Sequence, residues 1–421
     1  MGRKKCKITA KDIAKHGSLA DFIRHLVKTI GDGSASETQE EAVTALRSLA
    51  QQSHFEHSEA IFAADAVGPL IAIIGSAGCS ANAQAAAAGA LAAIGHEKPA
   101  HQEAIVAHGA IGPLVRLLGA GGAKAQEEAG AALAALSADN LVESQRDMMR
   151  AGAVPFLVAM LNGGSAAAQA FASQALANAA RCTSADGQGI VAKAGAIPPL
   201  LRLLTDGKAQ TPAAGCLSML ARDNKPIQAQ IASTGGIPPL LALLNGRNTE
   251  AQVQAAAALC EMARDNLETQ VAIVKAGGIG PLLALLSSRS TAAQAHGTAA
   301  LAQLARHNPN NQGAIARQGG IRALVRNLAS NASEELVLAH AASALMELCR
   351  SHLSNQVGTR TRLARHLTRC ASRLRWLTVA AAKRHWKRNL VLSPLSSNEW
   401  LSLRFRHALR LQPSDWPHSM S

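Results

Sequence analysis

The sequence predicts an all-α protein in which about eight three-helix repeats stack into a right-handed α-solenoid. Three observations predict this fold: an apolar phrase returns roughly every 42 residues, glycine and proline flank that phrase, and Ala and Leu dominate the apolar residues. Aromatic residues make up only 2% of the chain, and tyrosine is absent. Small aliphatic side chains suit close helix–helix packing, whereas strands favour β-branched and aromatic residues.

A β-branched marker residue occupies the same place in each of seven repeats. The spacings between successive markers are 44, 43, 43, 40, 42 and 42 residues. Glycine stands two residues before six of the seven markers, and proline follows within two residues in six. The markers are Val67, Ile111, Val154, Ile197, Ile237, Ile279 and Ile321. An eighth, degenerate copy precedes them, and we expect its marker to be Ile23. Such a period is typical of stacked repeats that bury one continuous core.

Residues 266–307 display the three helices predicted for each repeat. NLETQVAIVKAG predicts a first helix that ends at a glycine, because glycine adopts positive φ without strain. GIGPLLALLSS predicts a short second helix with Pro281 in its first turn, where N–H groups have no intrahelical partner. SRSTAAQAHGTAALAQLARH predicts a longer third helix with Ala299, Leu301 and Leu304 on one face. The glycine followed by proline therefore predicts a sharp corner between the first two helices.

Over residues 18–352 these repeats resemble the armadillo repeat in their period, in the Gly-Gly-Ile-Pro corner at 235–238 and in the Ala-x-x-Leu third helix. The resemblance implies a protein-interaction module whose third helices line a concave groove for extended peptides. In the nuclear-import adaptors of this family, most third helices carry a tryptophan and an asparagine that hold the peptide. The chain departs from that pattern and is more similar to generic armadillo scaffolds and to the lipid-anchored vacuolar armadillo proteins.

The departure is visible at both positions of the third helix. The residues at the asparagine position are Ser48, Ala93, Ala135, Asn178, Met219, Glu261, Gln303 and Glu347. The residues at the tryptophan position are Thr44, Gly89, Ala131, Gln174, Gly215, Ala257, Ala299 and Ser343. Only Asn178 matches the adaptor pattern, so a cargo receptor for nuclear transport is the less favoured alternative.

Five arginines follow the asparagine position by three residues in the last five repeats. They are Arg181, Arg222, Arg264, Arg306 and Arg350, spaced 41, 42, 42 and 44 residues apart, whereas the first three repeats have Gln51, His96 and Ala138 there. The row is interpreted either as a track for an acidic or phosphorylated segment, or as cations that stabilise helix C-termini. Glu261 and Glu347 stand three residues before Arg264 and Arg350, so we expect ion pairs and a mixed-charge groove. The predicted partner-binding residues are Asn178, Arg181, Arg222, Glu261, Arg264, Gln303, Arg306, Glu347 and Arg350.

The two termini form separate basic segments, at residues 1–17 and 353–421. Gly2 and Cys6 are candidate lipidation sites, although the Ser or Thr usual at position six of a myristoylation motif is missing. Residues 351–421 carry 13 basic and 2 acidic residues and all four tryptophans, whereas the first 350 residues carry 29 basic and 26 acidic. Thr361 to Arg388 predicts a basic amphipathic helix, of the kind that binds anionic membranes, calmodulin-like grooves or nucleic acid. A solvated basic N-terminus, a disordered tail and an error in the gene prediction are the alternatives.

Motifs for catalysis or metal binding are not found in the sequence. The seven cysteines form no C-x-x-C, the histidines form no H-E-x-x-H, and the N-terminus has no apolar signal segment. Gly119 to Lys124 lacks the Lys-Ser/Thr ending of a phosphate loop and is interpreted as a plain loop. We therefore expect a cytoplasmic, non-catalytic scaffold or adaptor that binds other proteins, with no cofactor and no specific nucleic acid. Membrane association through the termini and a nuclear location are the alternatives.

Overall fold

The computed structural model describes residues 15–350, with gaps at 33–35, 53–56, 139–140, 183–185, 206 and 331–333, together with Ile13 and Asn355. These residues contain 23 helices and no strand. They form one two-helix repeat followed by seven three-helix repeats, numbered 1 to 8 below. The all-α solenoid predicted from the sequence is confirmed.

Each helix of the repeat recurs at a fixed place along the chain. The first helices, present in repeats 2 to 8, are Ser58–Ala63, Pro99–Ala107, Val142–Arg150, Gly187–Lys193, Lys225–Ser233, Leu267–Lys275 and Pro309–Arg317. The second helices are Leu19–Gly31, Val67–Gly75, Ile111–Ala120, Ala153–Gly163, Ile197–Leu203, Ile237–Leu244, Ile279–Leu285 and Gly320–Ser330. The third helices are Ser36–Gln51, Ala81–Gly95, Ala123–Leu136, Ala166–Ala180, Gln210–Ala221, Thr249–Ala263, Thr291–Ala305 and Glu335–Cys349.

A glycine in the left-handed region makes the corner between first and second helices, as predicted. Gly195, for example, has φ +82°, and Pro198 and Pro199 lie in the first turn of the helix that follows. The corner bends the chain by 80° in repeat 3 and by 83° in repeat 6. In repeat 2 the glycine is replaced by Asp65, which adopts φ +55°. Among the described residues, no single helix is both long and apolar enough to span a membrane, although these two bent helix pairs reach that length and composition together.

The marker predicted for repeat 1 is wrong. Gly17 has φ +87°, and the second helix begins two residues later at Leu19, so Leu19 occupies the marker position. Ile23 lies one turn further along the helix and is fully buried in the core. The error arose because Ile23 is β-branched like the other markers, whereas the corner glycine is what sets the register.

The third helices of consecutive repeats pack against one another along the whole described solenoid. Small residues make this close approach possible: a Cβ on Gly215 would lie 3.2 Å from Gln254 Oε1 on the third helix of the next repeat. Buried leucine and isoleucine side chains from the second helices complete a core that is continuous from repeat to repeat. Because no repeat encloses its own core, each depends on its neighbours for burial.

Candidate functional site

The candidate site is the surface formed by the three rows of third-helix residues that occupy the tryptophan, asparagine and arginine positions, hereafter the third-helix surface. At the asparagine position most side chains are half-buried, including Met219, Glu261, Gln303 and Glu347. The tryptophan position holds mostly small residues, and only Gln174 in repeat 4 is exposed there. The surface is therefore shallow and lined by short side chains, with the longer polar groups at one edge.

Asn178 does not present its amide at this surface. Its side chain is 1% exposed, and its Nδ2 donates to the Ala134 carbonyl at 3.0 Å and to Ser137 Oγ at 3.2 Å. Its Oδ1 accepts from Gln174 Nε2 at 3.2 Å. All of these partners belong to repeats 3 and 4, so Asn178 joins two repeats and its amide is already occupied.

The predicted pairs of glutamate and arginine three residues apart form in the structure. Arg264 Nε and Nη2 both donate to the Glu261 carboxylate at 2.8 Å, and Arg350 makes the same fork with Glu347 at 3.1 and 3.0 Å. The bond to Glu261 raises the pKa of Arg264 against the opposing effect of burial. Each arginine of the row directly follows the last residue of its third helix.

A second acid reaches two of the arginines from the preceding repeat. Arg264 Nε lies 3.5 Å from Asp223 Oδ1, and Arg306 Nε lies 3.4 Å from Asp265 Oδ1. Asp223 and Asp265 each follow an arginine of the row and adopt positive φ, 52° and 51°, at the corner between repeats. The acid after one arginine therefore pairs with the arginine of the next repeat.

Arg222 differs from Arg264, Arg306 and Arg350. The residue after Arg181 is the buried Cys182, so no corner acid faces Arg222. Arg222 is exposed, and no carboxylate of the described residues lies within 4 Å of its guanidinium. Arg181 is half-buried with its Nε 3.3 Å from Met219 Sδ. Burial lowers the pKa of Arg181, and the positive charge of Arg222 lowers it further.

A ladder of glutamine and asparagine side chains caps the helix ends and was missed in the sequence. Glutamine stands nine residues before the marker in six of seven repeats, as Gln102, Gln145, Gln188, Gln228, Gln270 and Gln312. Most donate to carbonyls at the end of the preceding third helix; Gln270 Nε2, for example, bonds the Ala263 carbonyl at 3.1 Å.

Asparagines at the start of the first helices extend this ladder to the next repeat. Asn266 Nδ2 donates to Gln228 Oε1 and Asn308 Nδ2 donates to Gln270 Oε1, both at 3.1 Å. The signal in the sequence is Asn-x-x-x-Gln, which begins at residues 224, 266 and 308. Since the glutamine amides satisfy helix-terminal carbonyls, the arginines are not needed for that task where the ladder is present.

An ion pair crosses the third-helix surface near the N-terminal end of the solenoid. Arg47 of repeat 1 bonds Glu128 of repeat 3 over Gly89 of repeat 2. A Cβ on Gly89 would lie 2.5 Å from Glu128 Oε2 and 2.6 Å from Arg47 Nε, so the glycine makes room for the pair. Burial raises the pKa of Glu128, outweighing the opposing effect of Arg47. In repeats 1 to 3 the chain's own side chains therefore occupy this surface.

Comparison with known proteins supports the resemblance. An engineered protein of known structure is 29% identical, with a TM-score of 0.75 over 90% of this chain and 90% of that chain. A designed armadillo repeat protein in complex with the peptide (KR)4 is 25% identical, with a TM-score of 0.51 over 56% of this chain and 99% of that chain. A second designed armadillo repeat protein is 26% identical, with a TM-score of 0.51 over 57% of this chain and 99% of that one.

The chain has an armadillo-like repeat fold. In addition, residues 227–371 match the SIL1/FES1/HPBP1 C-terminal domain, which covers about a third of the sequence. No curated protein matches the chain.

Chemically reactive groups are sparse on the described part of this armadillo-like solenoid. Within those residues, no three His, Cys, Asp or Glu side chains could hold a metal ion together. Cys216 and Cys260 are buried, and burial raises the pKa of both thiols, that of Cys260 to about 12. The candidate lipidation sites Gly2 and Cys6, and the basic tail at 353–421, lie outside the described residues.

Proposed function

We propose that this armadillo-like chain is a non-catalytic cytoplasmic scaffold or adaptor that binds an extended segment of a partner protein along its third-helix surface. The observation that carries the proposal is the register of eight third helices, which places equivalent side chains side by side in rows. An extended peptide repeats its side chains at short, regular intervals, and a surface with a regular period can contact many of them. The designed armadillo repeat protein crystallised with (KR)4 gives this mode of binding a precedent on the same fold.

The ion pairs distinguish two halves of the proposed binding surface. Arg47 and Glu128 occupy repeats 1 to 3, so we expect a partner to lie mainly over repeats 4 to 8. In repeats 5 to 8 the side chains at the asparagine position are half-buried, and the small residues beside them leave space for a peptide. Because Glu261 and Glu347 pair with arginines, this half is of mixed charge rather than uniformly basic.

Selection of peptides followed by cross-linking tests the proposal. A displayed library of random short peptides is selected on the full chain, and a photo-cross-linking residue is placed at Ala257 on the third-helix surface. The control places it at Ala242, an exposed alanine on the second helix of the same repeat. We expect selected peptides to cross-link from position 257 and not from 242. No selected peptide, or equal cross-linking from both positions, would contradict the proposed function.

A nuclear cargo receptor is the alternative function. The observation that favours it is that a designed armadillo repeat protein similar to this chain was crystallised with the basic peptide (KR)4. Binding of (KR)4 to this chain with an affinity above that of the selected peptides would favour it. Membrane tethering is tested separately with a myristate analogue. Incorporation of the analogue that is lost in Gly2→Ala supports an N-terminal lipid anchor. If no incorporation depends on Gly2, that anchor is excluded.

A further inference from the structure

We propose that residues 353–377 of this chain cover the last third helix, Glu335–Cys349, and so cap the C-terminal end of the solenoid. They cover its open face, which is the side formed by Ala339, Ala342 and Met346. The first part of the segment begins a ninth first helix, and the second part packs an apolar stripe against the open face. The segment lies outside the described residues, apart from Asn355. The inference does not depend on the proposed function.

The open face is exposed in repeat 8, although its positions are buried in earlier repeats. Met346 is 58% exposed, whereas the residues at its position in repeats 3 to 7 are buried, namely Ala134, Ala177, Ser218, Cys260 and Ala302. Ala342 is half-buried. The residues at its position in repeats 4 to 7 are fully buried, namely Ser173, Ala214, Ala256 and Thr298. Because the third helix of the next repeat packs alongside each of these helices, the open face lacks an equivalent neighbour among the described residues.

Asn355 shows that the chain beyond the last third helix follows the path of the earlier repeats. Its side chain is buried, and its Nδ2 donates to the Leu348 carbonyl at 2.9 Å. Asn311, in the first helix of repeat 8, donates in the same way to the Leu304 carbonyl at 2.9 Å. Asn355 therefore makes the contact of a first-helix residue in a ninth repeat.

The sequence around Asn355 agrees with this placement. Residues 353–357 read LSNQV, and residues 267–271, in the first helix of repeat 7, read LETQV. Gln356 thus stands at the position of the capping glutamines, and the family match continues to residue 371. The next corner glycine would fall at position 363, which is Leu363. Since the corner needs positive φ, the segment departs from the repeat there and forms a different kind of cap.

An apolar stripe begins at Leu363 and fits the open face. Its members are spaced 4, 3, 4 and 3 residues apart, as on one side of a helix, and are Leu363, Leu367, Cys370, Leu374 and Leu377. They extend over 15 residues, which is also the length of the last third helix. Residues 358–362 provide up to about 17 Å of chain, enough to bring the stripe to Met346. Arg365 and Arg369 lie opposite the stripe, so the cap presents a polar outer face to solvent.

Photo-cross-linking in the full chain tests the proposal. A photo-cross-linking residue replaces Met346, and the control places it at Arg322, an exposed residue on the second helix of the same repeat. Chains with natural and with heavy nitrogen are mixed before irradiation, so that the masses of linked peptides show whether both come from one copy. We expect links from position 346 to residues 353–377 of the same copy, and no such links from position 322.

Two tail variants test whether the apolar stripe makes the contact. Leu367→Glu/Leu374→Glu places two charges within the stripe, and the control Thr368→Glu/Ser372→Glu adds the same charges on the opposite side of the predicted helix. Circular dichroism first checks that both variants are folded. Because burial of the leucines stabilises the docked segment, we expect cross-linking from position 346 to fall at least about ten-fold in the leucine variant. The control should cross-link as the wild type does.

Three results would overturn the inference. Links from position 346 between differently labelled copies would assign the open face to a second copy of the chain. Links from that position to no part of residues 353–377 would leave the face to a partner protein or a membrane. Equal cross-linking in the two tail variants would show that the stripe does not cover the face.

Discussion

Gln228 is the residue through which the capping ladder is best tested. It is fully buried in the first helix of repeat 6 and contacts three repeats at once. Its Nε2 donates to the carbonyls of Ala221 and Glu261, both at 2.9 Å, and its Oε1 accepts from Asn266 Nδ2 at 3.1 Å. The substitution Gln228→Ala removes all three bonds and leaves space where the amide was.

The free energy of unfolding should fall by about 2 kcal/mol. The buried Ala221 carbonyl would retain only a long hydrogen bond of 3.4 Å from Asn224 N. Leaving this carbonyl poorly hydrogen-bonded lowers the free energy of unfolding by about 1 kcal/mol. The other two bonds are partly buried, so water can replace them in part and each contributes about 0.5 kcal/mol. Since the bonds connect neighbouring repeats, the loss should weaken coupling between repeats 5, 6 and 7 rather than a single helix.

Urea titration followed by circular dichroism measures the change, and hydrogen exchange locates it. The matched control is Gln230→Ala, an exposed glutamine on the same helix, for which we expect a change within about 0.5 kcal/mol. Protection from exchange should fall first in repeats 5 and 6 of Gln228→Ala. If the two variants unfold at the same urea concentration and exchange alike, the ladder does not stabilise the solenoid and the reasoning is wrong.

Two further predictions concern a corner glycine and an exposed carboxylate. Gly277 has φ +83° with open space around its Cα, so Gly277→Ala should destabilise the chain by about 1 kcal/mol through backbone strain alone. Gly280→Ala, three residues on within the second helix and equally uncrowded, should be neutral or stabilising by up to about 1 kcal/mol in the same urea titration. The pKa of Glu59 is lowered from 4.5 chiefly by the hydrogen bond from Lys98, so its contribution to stability is present above pH 4.5 and lost as the pH falls through the lowered pKa. The melting temperature should therefore decrease less between pH 6 and pH 3 for Glu59→Gln than for the wild type. An equal decrease in both proteins would contradict this.

The features that the sequence predicted correctly depend on residues close together in the chain. Gly195 followed by Pro198 and Pro199 defines a corner through backbone conformation alone, so its recurrence was sufficient to predict the repeat. The bond between Glu261 and Arg264 follows from their spacing on one helix turn.

Contacts between repeats could not be predicted in this way, because they join residues about 40 positions apart whose proximity depends on how the helices stack. Asn178 was expected at the surface because its position matches that of the adaptor asparagine, yet it bonds Ala134 in the preceding repeat. Its burial follows from the close packing of third helices, which no local pattern reports. The Asn-x-x-x-Gln signal was present in the sequence, but the spacing alone does not indicate that Asn266 and Gln228 belong to one ladder.

The arginine row illustrates how the same residue acquires different roles along a repeat protein. The arginines follow equivalent helices and look alike in sequence, but for Arg222, Arg264 and Arg306 the presence of an acid from the preceding repeat depends on the residue that follows the arginine one repeat earlier. That residue is Asp223 for Arg264 and Cys182 for Arg222. Arg264 therefore has a carboxylate from the preceding repeat, whereas Arg222 does not. It follows that a single substitution, Cys182→Asp, should supply Arg222 with an acid from the preceding repeat and weaken the binding of any acidic peptide that contacts Arg222. Because Cys182 is 1% exposed, the test requires a folded variant, and Asp223→Ala supplies the reciprocal change by releasing Arg264 from one of its two acids. Acidic peptides that contact Arg222 and bind Cys182→Asp as tightly as the wild type would show that the residue at position 182 does not govern the pairing of Arg222.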